Sequence, residues 1–541
     1  MPSFKLDGKP IPFEPGESII QAAYKQGIEI PHYCWHPGLS APANCRMCLV
    51  EIAPAPGQRP LMLDILAWDA HAGAYKPVQK PKLLPACQMG AVDGMEVKAE
   101  SSEHVHAARK TVQESLLLNH PVDCPICDQA GECKLQDYWL LYQKTPKRMR
   151  DEPVHKPKGV VFGPTIVYDA ERCVMCTRCI RFMEEVAKDP VLDMRERGNL
   201  NEITVAPGRV LDGKYTFMTE HVCPVGALTT VDFRFKARVW FLRTAPSVCQ
   251  GCATGCNAHL DYDPRNNRVY RYRPRDNEQV NHYWMCDDGM VSYRRAHEER
   301  TLEVLVSGRL GSHAAALEIV KKLFEGVPRE SVAVVFSAQH SLEDNWALRE
   351  LGAVLLGANR TYVSGLGLGY EDKILIHKDK NPNTQGVKEL APEAGSFSDL
   401  LADVTAGRVT HVVALGGATP TSEPKDLATL QTLRALVTLA SHEGPLAEAA
   451  HVVFPVTSWA EASGTYVNAK GIRQQADAAI APLGSARPAW EVLAQVAKAL
   501  GFEPNWPKLR EIRAKLSGSS AVTAAGPPRA RTDASSPAGA P

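Results

Sequence analysis

The sequence predicts a multidomain protein of mixed class, an α+β front half followed by an α/β back half. Three observations carry this. The 541 residues suit three or four domains at roughly 150 residues each. All 15 cysteines fall between Cys34 and Cys286, so only the front half is equipped to bind metal in quantity. Past about residue 300, short β-rich runs alternate with helical stretches, the pattern of an open parallel sheet.

Taken in order, FKLDGKPIPFE reads as a hairpin of alternating apolar residues around an Asp7-Gly8 turn. Ser18 can cap a short helix, SIIQAAYKQG, that Gly27 ends. Residues 103–119, EHVHAARKTVQESLLLN, carry apolar side chains at three- and four-residue spacing and predict a helix. KTPKRMRDEPVHKPKG follows as an exposed connector before Ile166, its basic run read as solvated. In the back half SVAVVFS (331–337), THVVALGG (410–417) and HVVFPVTS (451–458) read as strands, with SHAAALEIVKKLFEG as a helix. The closing SGSSAVTAAGPPRARTDASSPAGAP is small, polar and Pro-rich, and is expected to be disordered.

Composition removes several function classes. Lys+Arg and Asp+Glu balance at 61 each, which gives no electrostatic footprint for nucleic acid or an anionic membrane surface. No apolar run approaches the roughly 18 to 20 residues that span a bilayer. The start, MPSFKLDGKPIPFEPGES, lacks the charged-then-apolar layout of a signal peptide. A cytoplasmic location is expected, where clustered cysteines read as metal ligands before disulfides. SGLGLGY (364–370) lacks the GxGxxG spacing of a dinucleotide loop, and no GxSxG or GxxxxGK[ST] occurs.

Fifteen cysteines and one histidine divide into four sets with none left over. Cys34, Cys45, Cys48 and Cys87 suit a 2Fe–2S cluster, the CxxC pair letting two sulfurs from one turn meet the same iron. A structural zinc site is the alternative. His32 and His36 flank Cys34 and are read as bonding locally. In the second set, NHPVDCPICDQAGEC, Cys124, Cys127 and Cys133 cannot close a four-iron cluster alone, and His120 stands where a fourth ligand is needed. A Cys3His zinc site fits that local spacing equally well. Cys173, Cys176, Cys179 and Cys223 form CxxCxxC with a remote Cys-Pro, the 4Fe–4S pattern of ferredoxins, with ligands for one cluster. Cys249, Cys252, Cys256 and Cys286 form CxxCxxxC with a distant fourth cysteine, for which four irons are preferred over zinc.

In this order, ANCRMCLVEI, LLNHPVDCPICD, RCVMCTRCIRF and ERG at 196–198 resemble the large, G-type iron–sulfur subunit of bacterial NADH:quinone oxidoreductase, respiratory complex I, over roughly residues 1–290. The first set resembles that of a plant-type two-iron ferredoxin of β-grasp fold, with a first gap of ten residues in place of four. The fourth resembles the four-iron motif opening molybdenum- and tungsten-pterin enzymes, and HVVFPVTSWAEASGTYVNAKGIRQQ resembles their pterin-facing segment. The resemblance implies a 2Fe–2S domain (1–100), a His(Cys)3 four-iron segment (101–145), a ferredoxin-like four-iron domain (146–241) and a 4Fe–4S domain of Mo/W bis-MGD type (242–298). An α/β molybdopterin-oxidoreductase-like scaffold (299–515) and the disordered tail (516–541) would follow.

It further implies an electron relay without a substrate site of its own. A flavin- and NADH-binding subunit would deliver electrons, and quinone-side iron–sulfur subunits would receive them, in a complex coupled to proton translocation. The chain would lie at the cytoplasmic side of the inner membrane, carrying one 2Fe–2S and three 4Fe–4S clusters. The sets of Cys34, His120 and Cys173 would lie on the route, the fourth off it. Residues 300–515 are short for a cofactor-binding body and contain no cysteine, so no molybdopterin is expected, and no flavin. Three competing readings are weaker. A self-contained formate dehydrogenase would need a metal-ligating cysteine after Cys286. The iron–sulfur subunit of a soluble NAD-linked hydrogenase fits poorly with the α/β back half. A zinc-stabilised interaction protein leaves the ferredoxin patterns as coincidence.

Overall fold

The Asp7-Gly8 turn forms with both residues at positive φ, 49° and 82°, as a tight two-residue hairpin requires. It joins β1 (Ser3–Leu6) to β2 (Lys9–Pro12) in antiparallel register. The Asp7 carboxylate then accepts the backbone N–H groups of Ala99 and Ser101 and ties the far end of the first domain back to this turn. The structure, a computed structural model, describes residues 1–358 and 360–517. These divide into two units, Met1–Val239 and a second beginning at Trp240.

In the first unit, α1 (Ile19–Lys25) starts at Ser18 with a reciprocal capping box to Gln21 and ends before Gly27 at φ 73°. Next come β3 (Leu49–Ala53), β4 (Met62–Asp69), β5 (Ala74–Pro81), β6 (Leu83–Pro85) and β7 (Glu96–Lys98). Five strands make one mixed sheet in the order β2-β1-β7-β3-β6, with β1 and β7 parallel. Phe4, Ile11, Val50 and Val97 from this sheet share a core with Ile19 and Ile20 of α1. The β4–β5 hairpin forms a separate two-stranded sheet. A cross-strand Trp68–Tyr75 edge contact and an Asp64–Gln79 hydrogen bond brace it.

Helix α2 (Glu103–Leu117) covers the predicted stretch, and α3 (Lys134–Tyr138) follows. The connector after it has neither helix nor strand over 144–159, as its composition predicts. It is nonetheless strapped down. Arg148 pairs with Glu114, the Val154 N–H donates to Asn119, and Lys158 pairs with Asp123 and Glu171. Beyond it lie β8 (Val160–Val161), β9 (Ile166–Tyr168), α4 (Arg178–Glu185), β10 (Leu192–Arg195), β11 (Glu202–Val205), α5 (Phe217–His221) and β12 (Leu228–Thr230). They build a three-stranded β12-β9-β8 sheet and a β10–β11 ribbon.

The second unit opens with a meander of β13 (Arg243–Val248), β14 (Asn257–Asp263) and β15 (Arg268–Pro274), followed by α6 (Asp287–Val291). A short hairpin, β16 (Leu305–Val306) and β17 (Arg309–Leu310), leads into α7 (His313–Phe324). Strands and helices then alternate through β18 (Val332–Ser337), α8 (Leu342–Arg349), β19 (Arg360–Ser364), α9 (Thr384–Leu390) and α10 (Phe397–Thr405). The pattern continues with β20 (His411–Leu415), α11 (Pro424–Leu430), β21 (Ala435–Ala440), α12 (Pro445–Glu448) and β22 (Val452–Pro455). A ribbon of β23 (Gly464–Val467) and β24 (Arg473–Ala476) precedes α13 (Ala489–Ala499) and α14 (Leu509–Ser517).

The seven-stranded sheet runs β17-β16-β22-β21-β20-β18-β19, parallel from β22 to β19, with β16 antiparallel at one end. Both of its faces are buried. Val334, Val413 and Val437 point to one side, among residues of α7, α8 and α13. Ala333, Val412 and Leu436 point to the other, among residues of α10, α11 and α12. That is why these strands read as unbroken apolar runs. Helix α14 runs through Leu516 and Ser517, the first two residues of the segment expected to be disordered. The remainder, 518–541, lies outside the described residues.

Candidate metal centres

The first set occupies the irregular loop after α1 and the turn after β6. Cys34, Cys48 and Cys87 are buried and Cys45 is half-buried. Ala43 and Arg46, on either side of Cys45, take left-handed backbone conformations at φ 51° and 58°. The Cys34 thiol bonds that of Cys45, and the Cys48 thiol bonds that of Cys87. Left-handed Arg46 lies between Cys45 and Cys48 in the chain. Accepting from Cys34 and from the Tyr33 and Met47 N–H groups holds the Cys45 thiol down near 5. His32 contacts the Ile30 carbonyl and His36 accepts from the Gly38 N–H, so both are engaged locally as expected.

The second set lies on the loop between α2 and α3. Asp123 anchors this loop through Lys158 (2.7 Å) and Arg172 (2.9 Å). Cys127 and Cys133 are buried and Cys124 is exposed, while electrostatic coupling runs from Cys124 to Cys127 and from Cys127 to Cys133. His120 sits at the start of the loop. Burial, with Arg172 nearby, lowers its imidazole to about 4, so it is neutral at physiological pH, the form in which histidine binds metal. A Cβ built at Gly226 would stand 2.2 Å from the Cys127 sulfur. Gly226→Ala is therefore expected to displace that sulfur and to cost this site roughly 10- to 100-fold in metal affinity. Iron content and the EPR spectrum, read against an intact two-iron signal, check this; an unchanged spectrum would refute it.

The third set is the most completely built. Cys173, Cys176, Cys179 and Cys223 line one small cavity, walled otherwise by residues such as Tyr168, Val174, Ile203 and Leu228. The loop achieves this with Met175 and Thr177 at φ 51° and 62°, and the Met175 N–H points at the Cys173 sulfur (3.4 Å). Burial pushes all four thiols above their ordinary range, so binding a cation would release protons.

Sets one to three adjoin within the first unit. Cys176 lies within electrostatic reach of Cys45. Tyr33 donates its N–H to the Cys45 sulfur (3.5 Å), and its ring senses both Cys45 and Cys133. The Lys134 N–H, next to Cys133, donates to the carbonyl of Pro224, next to Cys223 (3.1 Å).

The fourth set belongs to the second unit. Cys249, Cys252, Cys256 and Cys286 are all buried and mutually coupled. Gly251 and Gly289 direct N–H groups at the Cys249 and Cys286 sulfurs (3.4 Å each). The segment after β22 packs on this loop: the Ala469 N–H meets the Ala253 carbonyl (2.8 Å), and the Asn468 and Gln474 amides meet those of Thr254 and Gly255. A small polar cavity lies past the ends of β18 and β21, lined by Gln250, Arg295, His340, Ser441, His442 and Ser458. Its histidines are occupied locally, His340 with Ser337 and His442 with the Arg295 carbonyl. The glycines of SGLGLGY serve packing: a Cβ at Gly367 would meet the Pro420 carbonyl at 2.6 Å.

Sequence reasoning overlooked Asp123, Gly226, Arg178 and Arg181. The two arginines stand in the quoted string RCIRF, but nothing in that string marks them as inward-facing.

Five family descriptions match the chain. They are a 2Fe-2S iron-sulfur cluster binding domain (2–102), the NADH-ubiquinone oxidoreductase-G iron-sulfur binding region (109–148) and the ferredoxin-like domain of NADH-quinone oxidoreductase subunit 3 (163–229). The other two are the molybdopterin oxidoreductase Fe4S4 domain (242–298) and molybdopterin oxidoreductase (329–499). The G-type subunit of the Streptomyces coelicolor NADH-quinone oxidoreductase is 33% identical over 65% of this chain and 40% of its own length. The mitochondrial NADH dehydrogenase [ubiquinone] iron-sulfur protein 1 of Solanum tuberosum is 33% identical over 67% and 46%. Subunit 3 of the Thermus thermophilus NADH-quinone oxidoreductase is 33% identical over 65% and 46%. A chain of an NAD+-reducing [NiFe]-hydrogenase is 26% identical over 44% of this chain and 91% of its own, at a TM-score of 0.36. The matches span 40 to 50% of the length of the curated relatives. With these regions in this order and relatives at about 33% identity over two thirds of its length, the chain is a homologue of the G-type iron–sulfur subunit of NADH-quinone oxidoreductase.

Proposed function

We propose that this chain is an electron-relay subunit of an NADH:quinone oxidoreductase, taking electrons from a flavin- and NADH-binding partner and passing them toward quinone-side iron–sulfur subunits. The observation that carries the reading is the adjacency of three cysteine-rich sites in one unit. We assign a 2Fe–2S cluster to Cys34, Cys45, Cys48 and Cys87, in a domain read as β-grasp. Four-iron clusters are assigned to His120 with Cys124, Cys127 and Cys133, to Cys173 with Cys176, Cys179 and Cys223, and to Cys249 with Cys252, Cys256 and Cys286. Bound clusters supply one-electron carriers whose potentials follow ligand type, burial and hydrogen bonds to sulfur. The chain's own part is to hold the sulfurs in place, exclude water and aim N–H groups at them. Since the match covers only part of the relatives' length, coupling to proton translocation and a peripheral position on the cytoplasmic side belong to this proposal too. Among the described residues no helix is long and apolar enough to cross a membrane.

We read residues 299–515 as a scaffold. The polar cavity past the ends of β18 and β21 has its histidines, His340 and His442, engaged by their own neighbours. No step is routed through it.

Metal analysis of the anaerobically purified protein tests the proposal. One two-iron and three four-iron clusters give about fourteen irons per chain, without molybdenum or tungsten. Stoichiometric zinc with little iron would overturn it, and one molybdenum or tungsten per chain would restore a self-contained pterin enzyme.

A further inference from the structure

Helix α4 begins inside the third set, since Cys179 is its second residue, and it carries two arginines on the side facing the first set. Both are buried, each 8% exposed. Arg181 donates through Nη2 to the carbonyl of Cys34 (2.5 Å) and to that of Cys176 (3.3 Å), and through Nη1 to the carbonyl of Ser40. Arg178 donates through Nη2 to the carbonyl of Trp35, beside Cys34, and through Nη1 to that of Val222, beside Cys223 (3.2 Å). Each guanidinium thus touches the backbone of both sets. Ser40 in turn bonds Glu185 at the far end of α4, and Asn44 bonds the Met175 carbonyl, which completes the seam.

The charge balance is unusual. Arg178 Nε is buried without a hydrogen-bond partner, and Arg181 has the Glu185 carboxylate within electrostatic reach but not in a salt bridge. A buried cation held by neutral acceptors, here backbone carbonyls and the Thr177 hydroxyl (3.3 Å to Arg181 Nε), is costly unless a negative charge lies close by. The thiolates of two anionic clusters would provide that charge. A fixed positive charge in a low-dielectric seam favours the more negative, reduced state of whatever lies beside it.

We propose that Arg178 and Arg181 are positioning residues that serve both centres at once: they fix the separation of the Cys34 and Cys173 sets and raise the reduction potentials of both. The inference rests on the cluster assignments above, and its test separates the two.

The experiment is redox titration followed by EPR on the assembled, anaerobically purified complex carrying Arg181→Gln, Arg181→Lys or Arg178→Gln. The two-iron signal reports the first set. The four-iron signal that disappears in Cys176→Ala reports the third. In R181Q and R178Q, both one-electron equilibria are expected to shift toward the oxidised form by about tenfold, ~59 mV each. R181K keeps the charge and should return both midpoints toward wild type. If the Gln variants instead lose clusters, both signals should fall together and R181K should restore both. A change at one centre only, a change at neither, or an equal change in R181K would overturn the proposal. Absence of either signal from the wild-type complex would refute the cluster assignments themselves.

Discussion

Cys176→Ala is expected to stop electron transfer from NADH to quinone while leaving NADH oxidation by an artificial acceptor at the flavin partner intact. The cavity of the third set is lined by four thiols, and removing one leaves a four-iron cluster with three protein ligands. Loss of an outer hydrogen-bond partner already costs a metal site about 10- to 100-fold. Loss of a ligand at the centre that adjoins both neighbouring sets should exceed that. Cys176 also lies on the side nearest Cys45, so its removal opens the junction between the first and third sets. The measurement is quinone-dependent NADH oxidation in membranes, with assembly verified by subunit content. Normal turnover in a fully assembled variant would remove the third set from the route.

Much of the fold could be read directly, and the exceptions have physical causes. The hairpin at Asp7-Gly8 and the helix from Ser18 were legible because turn and cap chemistry are local. Strands β18, β20 and β22 announced themselves as β-branched runs. Strand β21 did not, since Leu430, Leu433, Leu436 and Leu439 recur at helical spacing while the strand is buried on both faces. Strand β19, starting at Arg360 on the sheet edge, carried too little apolar signal. The ligand candidates were visible from spacing alone. The left-handed backbone at Arg46, between Cys45 and Cys48, was not, because an ordinary side chain does not betray it. The arginines of α4 were hidden for the opposite reason: charged residues on a short helix normally face water, and only the tertiary seam turns these inward.

Glu461→Gln is expected to destabilise the second unit by about 3–5 kcal/mol, the range for removing one partner of a buried ion pair. Glu461 and Arg300 meet at 2.5 Å with side chains 0% and 1% exposed. Glu461 also accepts the Ser458 and Leu483 N–H groups, and Arg300 donates to the carbonyls of Ser441 and Ala296. The pair therefore joins segments from four parts of the chain, and the Gln variant leaves a buried guanidinium without its counter-charge. Adding Arg300→Met should recover part of the loss, because a buried pair replaced by apolar groups is often close to neutral. Urea unfolding of the full chain, followed by tryptophan fluorescence, would measure both. A loss below about 1 kcal/mol would mean that water or backbone compensates the pair. The effect should also reach the metal: residues 468–474 pack on the Ala253–Gly255 loop of the fourth set, and Ser458 and Glu461 begin the segment that leads there. In Glu461→Gln the iron of the fourth set should therefore exchange or be lost first, with the signals of the first three sets unchanged.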